Sequence, residues 1–175
     1  MRGAARQAGG VPAAPRFTVK LAKEDFKFAA AHFTLFPDAP AERLHGHNYR
    51  VRIELSGPET SAEGLLVPLG EVKARLRALC HSLDEHTLIP EKSPLLRVER
   101  DGPSVDVTLG GRHYRLPADE VRLLPLANVT MELLAEYLFE QLAPDLRGGI
   151  AETLAVEVEE SPGQICRYVA TLAGG

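Results

Sequence analysis

The chain has 175 residues, of which 45% are hydrophobic and 25% are charged, and its formal net charge is −4. This length fits a single domain with a substantial core, and the negative charge argues against a nucleic-acid-binding surface. No apolar run approaches a membrane span and the two cysteines lie far apart, so we expect a cytoplasmic protein with neither nucleic-acid nor membrane partners.

The first part of the chain predicts a tail followed by two strands. Residues 1–15 are rich in Ala, Gly and Arg but lack the apolar segment of a signal sequence. We interpret them as a disordered tail, with a single domain over 16–175. Residues 16–28 alternate with one polar interruption, which indicates a strand with a bulge or kink. A loop over 33–44 separates it from a second alternating stretch at 47–56.

The middle of the chain predicts two helices with a hairpin between them. Apolar residues recur at helical spacing from Val72 to Leu83, just after Pro68. Two prolines then indicate a loop, and the runs 105–109 and 112–116 flank a Gly-Gly pair that is typical of a two-residue hairpin.

A second helical stripe and two final strands complete the predicted order. The stripe runs from Leu134 to Leu142, and either Asn128 or Thr130 could cap its start. Alternating runs at 152–160 and 165–172 then flank a Ser-Pro-Gly turn. The order β-β-α-(hairpin)-α-β-β predicts an α+β fold with an antiparallel sheet.

Three histidines form the most informative motif of the chain. His45 and His47 are two residues apart at the start of the second strand, so both imidazoles point to the same side. His32 ends the preceding apolar stretch, which could be the antiparallel partner. Three converging neutral imidazoles without an evident fourth ligand predict an open zinc site of the catalytic type. The alternative is a chance spacing, with His32 as a core histidine.

Together these motifs resemble the 6-pyruvoyl-tetrahydropterin synthase / 6-carboxytetrahydropterin synthase family. The resemblance covers essentially residues 16–172, apart from an insertion at about 95–127 that includes the hairpin. It rests on five motifs that occur in the family's order: Phe28-Ala29-Ala30-Ala31-His32, His45-Gly46-His47-Asn48-Tyr49, Leu83-Asp84, Asn128-Val129-Thr130-Met131-Glu132 and Val156-Glu157-Val158-Glu159-Glu160-Ser161.

The resemblance implies a tunnelling fold with the order ββααββ. In this fold a four-stranded antiparallel sheet packs on two helices, here with the extra hairpin inserted between the helices. It also implies a homo-oligomer, a trimer or a hexamer, with active sites at subunit interfaces, which would cover the exposed sheet edges.

The resemblance also implies a set of ligand-binding residues. The implied zinc (Zn2+) ligands are His32, His45 and His47. Glu160 matches the family's pterin anchor, in which a carboxylate accepts paired N–H bonds from the ring, although neighbouring Glu159 leaves a one-residue alternative. Thr130 and Glu132 match positions beside the pterin, but they also fit a helix cap and a first-turn acid.

The catalytic positions depart from the family pattern. No cysteine precedes His-Gly-His, and Glu42 instead forms a Glu-x-x-His-Gly-His pattern similar to the branch of the family that uses glutamate. Such a carboxylate can act as a general base if partial burial raises its pKa. After Asp84, the family's His is replaced by Glu85, so either His86 takes that place through a one-residue bulge or the Asp-His relay is absent.

The favoured hypothesis is a zinc-dependent lyase that converts 7,8-dihydroneopterin triphosphate to 6-hydroxymethyl-7,8-dihydropterin, a folate precursor. One alternative is the family's formation of 6-pyruvoyl- or 6-carboxy-tetrahydropterin. The other is a paralogue that binds zinc and pterin but has an altered or lost catalytic activity.

Overall fold

The computed structural model of the protein describes residues 16–172, so the tail predicted at 1–15 lies outside the described residues. The strands and helices are β1 (Phe17–Leu21), β2 (Lys27–His32), β3 (His45–Gly57), α1 (Leu69–Leu83), β4 (His86–Pro90), β5 (Arg97–Asp101), β6 (Ser104–Leu109), β7 (Arg112–Pro117), β8 (Val121–Leu124), α2 (Met131–Leu142), β9 (Thr153–Ser161) and β10 (Gln164–Thr171). Among these residues, no helix is both long enough and apolar enough to cross a membrane.

Seven of the described strands form one sheet around the long strand β3. Its order is β10-β9-β3-β2-β4-β8, and β1 also pairs with β3. The single kinked strand that we predicted over 16–28 is therefore two strands, β1 and β2, which pair antiparallel with the two halves of β3. The charged residues between them form a turn, closed by the Phe26 amide donating to the carbonyl of Lys23 at 3.1 Å.

The core lies between one face of this sheet and the two helices. Alternate residues of β3, from Tyr49 to Leu55, are at most 1% exposed, because only one face of the strand meets the helices. The buried residues of α1 include Val72, Leu76 and Leu83, which confirms the predicted stripe. Burying each such leucine contributes roughly 1.5–3 kcal/mol.

The sheet is larger than the predicted four strands. We expected a loop after α1, but residues 86–90 form β4, which pairs parallel with β2 and with β8. Leu88 and Ile89 are fully buried there.

The predicted hairpin is correct but incomplete. Strands β6 and β7 form it, and β5 adds a third antiparallel strand on the far side of β6. We call β5–β7 the inserted sheet. Its buried residues Val105, Val107 and Leu109 pack against Phe33 and Leu35 in a second hydrophobic cluster. The inserted sheet therefore rests on the loop over 33–44, which we call the Glu42 loop.

Candidate metal centre and active site

Strands β2 and β3 bring the three predicted histidines together. The antiparallel register places His32 opposite His45 and Ala30 opposite His47. One nitrogen from each ring lies within 4.8 Å of the others, and the ring centroids are 4.7–5.3 Å apart. The hairpin geometry predicted from the spacing is therefore present.

Hydrogen bonds fix the tautomers of two of these rings. His32 Nδ1 is 3.0 Å from the carbonyl oxygen of Val129, and His45 Nδ1 is 2.8 Å from that of Arg43. A carbonyl oxygen only accepts, so each Nδ1 carries the proton and each Nε2 keeps its lone pair. Such outer hydrogen bonds orient the histidine ligands of metal sites.

His32 is the buried member of the cluster. It is 2% exposed, and burial is the main cause that lowers its pKa, so the ring is neutral, as a metal ligand must be. Its Nε2 is buried and has no hydrogen-bond partner among the described residues. A buried lone pair without a donor is costly, and a bound cation would remove that cost, so the residues fit a metal ion.

Glu160 also points into this cluster. Its Oε1 lies 3.2 Å from His32 Nε2 and 3.6 Å from His47 Nε2, and it accepts a hydrogen bond from the Tyr49 hydroxyl at 3.1 Å. Neighbouring Glu159 instead pairs with Arg52, because successive residues of a strand face opposite sides. The structure thus places Glu160, and not Glu159, beside the histidines.

Glu42 lies on the loop that leads into His45. Its carboxylate accepts a hydrogen bond from the Thr34 amide at 3.1 Å, and its own amide donates to the Thr34 carbonyl at 3.0 Å. Hydrogen bonding to Thr34, through its side chain first and its backbone amide second, lowers the pKa of Glu42 despite the opposing effect of burial. The condition that partial burial raises this pKa is therefore not met: the side chain is exposed, and Glu42 is an ionised carboxylate at neutral pH.

Asp84 and His86 do not form the side-chain pair of an Asp-His relay. The Asp84 carboxylate accepts from the Ala29 amide at 2.7 Å, while His86 Nδ1 bonds the backbone carbonyl of Asp84. Between them, Glu85 has a left-handed φ of 58°, which is uncommon outside glycine. Whether His86 takes the family's His position therefore stays a prediction.

His86 and Asp84 face different cavities. His86 and His47 line the same surface cavity of about 350 Å³. Asp84 lines a larger cavity of about 610 Å³ with Arg50 and Cys80. Of these two residues, His86 therefore shares a cavity wall with a histidine of the cluster, and Asp84 does not.

Thr130 and Glu132 lie at the start of α2, as predicted. The Thr130 hydroxyl caps the helix by accepting from the Leu133 amide at 3.4 Å. Glu132 is exposed in the first turn, and its charge helps to raise the pKa of Cys166 on β10, after burial as the main cause. Glu132 therefore lies towards the free edge of the sheet.

Asn128 is a site residue that the sequence did not identify. Instead of capping α2, its Oδ1 accepts from the Leu35 amide at 3.0 Å and its Nδ2 donates to the Leu35 carbonyl at 2.9 Å. The sequence indicated Asn128 only as a possible helix cap and as the first residue of one of the five motifs. Asn128 thus holds one end of the Glu42 loop.

Neither cysteine lies beside the histidines. Cys80 is 1% exposed in α1, and burial raises its pKa to about 12. Cys166 is on the edge strand β10. A thiolate base at this centre is therefore not available from the described part of this chain.

Comparison with known proteins gives consistent matches. A family model described as 6-pyruvoyl tetrahydropterin synthase matches residues 20–171. The chain is 28% identical over 146 residues to the 6-carboxy-5,6,7,8-tetrahydropterin synthase of Bacillus subtilis, covering 83% of this chain and 82% of that one.

Solved structures agree with these matches. The chain superposes on the 6-pyruvoyl tetrahydropterin synthase of Plasmodium vivax with a TM-score of 0.84 and 26% identity, covering 90% of this chain and 99% of that one. A variant of that Plasmodium vivax protein, in which a glutamate described as a catalytic residue is replaced by alanine, gives a TM-score of 0.83 at 25% identity with the same coverage.

Proposed function

The chain belongs to the 6-pyruvoyl tetrahydropterin synthase family, and from this premise we propose that it is a zinc-dependent lyase acting on 7,8-dihydroneopterin triphosphate, with 6-hydroxymethyl-7,8-dihydropterin as product. The observation that carries this proposal is the position of Glu42. It lies on the loop leading into His45, three residues before that histidine, and its carboxylate accepts a hydrogen bond from the amide of Thr34, two residues after His32.

The metal would be held by His32, His45 and His47, the cluster whose buried Nε2 has no hydrogen-bond partner among the described residues. When bound, zinc supplies a Lewis acid that makes the protons of attached side-chain hydroxyls easier to remove. Three neutral histidines favour zinc over Mg²⁺ or Ca²⁺, which prefer oxygen ligands.

Two carboxylates of the protein would bind the pterin and remove the proton. Glu160 would accept paired N–H bonds from the pterin and hold the ring. Glu42 would remove the proton of the hydroxyl on the second side-chain carbon. The bond between the first and second side-chain carbons then breaks, its electron pair passes into the ring, and the second carbon leaves as a triphosphorylated aldehyde. Return of the proton to the first carbon gives the hydroxymethyl product.

The lowered pKa keeps Glu42 ionised but makes it a weak base, so removal of the hydroxyl proton requires its basicity to rise when the substrate binds. Glu42 needs to be a carboxylate at neutral pH, and its bond from Thr34 keeps it so. Substrate binding that excludes water from the exposed carboxylate would raise its basicity at the moment of proton transfer. That the Plasmodium vivax protein is described with a catalytic glutamate also supports this role.

The second candidate is formation of 6-carboxy- or 6-pyruvoyl-tetrahydropterin, the activities in the names of the Bacillus subtilis and Plasmodium vivax proteins. It is favoured by His86, which shares a cavity wall with His47 and could act as an acid or base. It is disfavoured by the site's lack of a cysteine among the described residues and by the separation of the Asp84 carboxylate from the His86 ring.

We also propose that the protein assembles into a trimer or a hexamer whose subunits complete each other's sites. The edge strands β1 and β10 expose Phe17 (51%), Ile165 (47%) and Val169 (50%), and free edges favour pairing with another chain. Glu132 lies towards the β10 edge, where it would meet a neighbouring subunit. The two free cysteines support a reducing, cytoplasmic location.

The test is a product assay with purified, zinc-loaded protein and dihydroneopterin triphosphate, followed by chromatography of the pterins. Glu42→Gln should lower turnover by about 10²–10⁴-fold, the usual contribution of a general base, and leave zinc content unchanged. Glu59→Gln, at an exposed loop acid after β3, is the matched control. A pyruvoyl- or carboxy-pterin as the sole product would rule out the lyase assignment.

A further inference from the structure

We propose that the inserted sheet positions Glu42, and that Arg112 is the residue through which it does so. This inference rests on the proposed function, because it assigns a role in orienting the base of that reaction. Arg112 begins β7, the last strand of the inserted sheet, and is about 70 residues from Glu42 along the chain.

Arg112 donates hydrogen bonds to the carbonyls of two successive residues, Ala41 and Glu42. We call this pair of bonds the clamp. One guanidinium nitrogen donates to the carbonyl of Glu42 at 2.6 Å, and the other donates to the carbonyl of Ala41 at 2.5 Å. A guanidinium presents its N–H donors in a rigid fork, so two bonds to adjacent carbonyls fix both the position and the direction of the backbone.

The clamp completes a set of contacts that spans the Glu42 loop. Asn128 holds Leu35 at the start of the loop with two hydrogen bonds, and Thr34 is bonded to Glu42 across it. Of these contacts, the two bonds from Arg112 are the ones that come from the inserted sheet and reach the backbone carbonyls of Ala41 and Glu42.

Packing keeps the inserted sheet in place independently of this clamp. Its apolar face contacts Phe33 and Leu35, with Leu44 packed against the same cluster. The ring of Tyr114 stacks on Phe33 at 5.9 Å between centroids. Loss of the Arg112 side chain therefore removes the two carbonyl bonds while the apolar cluster stays, which makes positioning separable from folding.

Positioning is needed because the carboxylate itself is exposed. The Glu42 loop contains Pro37 and Pro40, and its residues 37–40 are exposed, so they have few contacts that would hold one conformation. A displacement of about 1 Å at a reacting group can cost a factor of about 10² in rate. Without the Arg112 bonds, Glu42 would keep its two bonds to Thr34, but the carbonyls of Ala41 and Glu42 would lose their side-chain donors and could shift.

The experiment compares Arg112→Ala and Arg112→Lys with the control Arg115→Ala. Arg115 is on the same strand, but it pairs with Asp101 and Asp106 within the inserted sheet. We expect Arg112→Ala to lower kcat by about 10–100-fold with KM and zinc content unchanged. Lys offers a single cationic donor group that can bond one carbonyl, so Arg112→Lys should recover part of kcat. Arg115→Ala should retain kcat.

Amide hydrogen exchange of residues 34–44 supplies a readout that does not depend on turnover. Exchange there, including the Glu42 amide, should be faster in Arg112→Ala and unchanged in Arg115→Ala. Unchanged exchange in Arg112→Ala would overturn the clamp, even if the wild type proves inactive on the proposed substrate. If the wild type is active, an unchanged kcat in Arg112→Ala, or an equal loss in Arg115→Ala, would overturn the positioning role. Inactivity of the wild type alone would count against the proposed function and not against the clamp.

Discussion

The hydroxyl of Tyr49 offers a one-atom test of how the site is built. It donates to Glu160 Oε1 at 3.1 Å, and the side chain is 0% exposed. The ring stacks on Phe28 at 4.8 Å between centroids. Tyr49→Phe keeps this ring and its packing, so the substitution removes only the hydrogen bond that orients Glu160.

The expected loss of stability follows from this geometry. A hydrogen bond to a charged group contributes about 1.5–3 kcal/mol. The Glu160 side chain is 16% exposed, so water replaces part of the lost bond and the lower part of the range applies. We expect the free energy of unfolding to fall by about 1.5–2 kcal/mol. For a chain of this size, that corresponds to a decrease in Tm of roughly 3–8 °C.

Urea denaturation at matched zinc content measures this loss, with Tyr114→Phe as control, because its ring also stacks on a phenylalanine. The control should change the free energy of unfolding by less than about 0.5 kcal/mol. If the proposed anchor role is correct, Tyr49→Phe should also raise KM for the pterin. A urea midpoint equal to that of the wild type, or to that of the control, would refute the reasoning.

The same hydroxyl predicts that the free energy of unfolding falls at alkaline pH. Burial, followed by the charge of Glu160, raises the pKa of Tyr49 above its ordinary value. The folded state therefore favours the neutral phenol, and this contribution is fully present below pH ~10, the pKa of an unfolded tyrosine. Above that pH the wild type should lose about 1.4 kcal/mol per pH unit relative to Tyr49→Phe. Parallel stability curves for the two proteins up to pH 11 would contradict the assigned burial.

Three further predictions concern the metal, the core and the thiols. Zinc at about 100-fold above its Kd should stabilise the protein by about 2.7 kcal/mol, and a chelator or His47→Ala should abolish this increment in a thermal-shift assay. Gly57→Ala should cost about 1–3 kcal/mol in urea denaturation, because a Cβ there would lie 2.7 Å from a backbone carbonyl oxygen. Gly70→Ala, in an open position of α1, should be neutral or stabilising by up to about 1 kcal/mol. A thiol reagent at pH 8 should modify Cys80 only on unfolding, because Cys80 is buried and its pKa is raised to about 12.

The histidine hairpin could be predicted from the sequence because its determinants are local. The spacing of His45 and His47 fixes their common face once the segment is a strand, and the apolar run before His32 supplies the partner. The stripe of α1 is local in the same sense, since helical periodicity alone selects its buried face.

Strands β4 and β5 were not predictable in this way. The prolines near β4 indicated a loop, yet Leu88 and Ile89 gain enough burial between β2 and β8 to form a strand. Strand β5 has a single apolar residue, Val98, in its five positions. It forms because β6 offers a free edge, and this property belongs to the assembled sheet and not to the segment.

The difference between local and long-range determinants also applies to the site, where it separates the three histidines from Glu42. The metal cluster needs only one hairpin, whereas the orientation of Glu42 depends on Asn128 and Arg112, which contact its loop from distant parts of the chain. If the proposed clamp is correct, the position of Glu42 depends on the inserted sheet, and amide exchange in Arg112→Ala tests that dependence separately from the reaction.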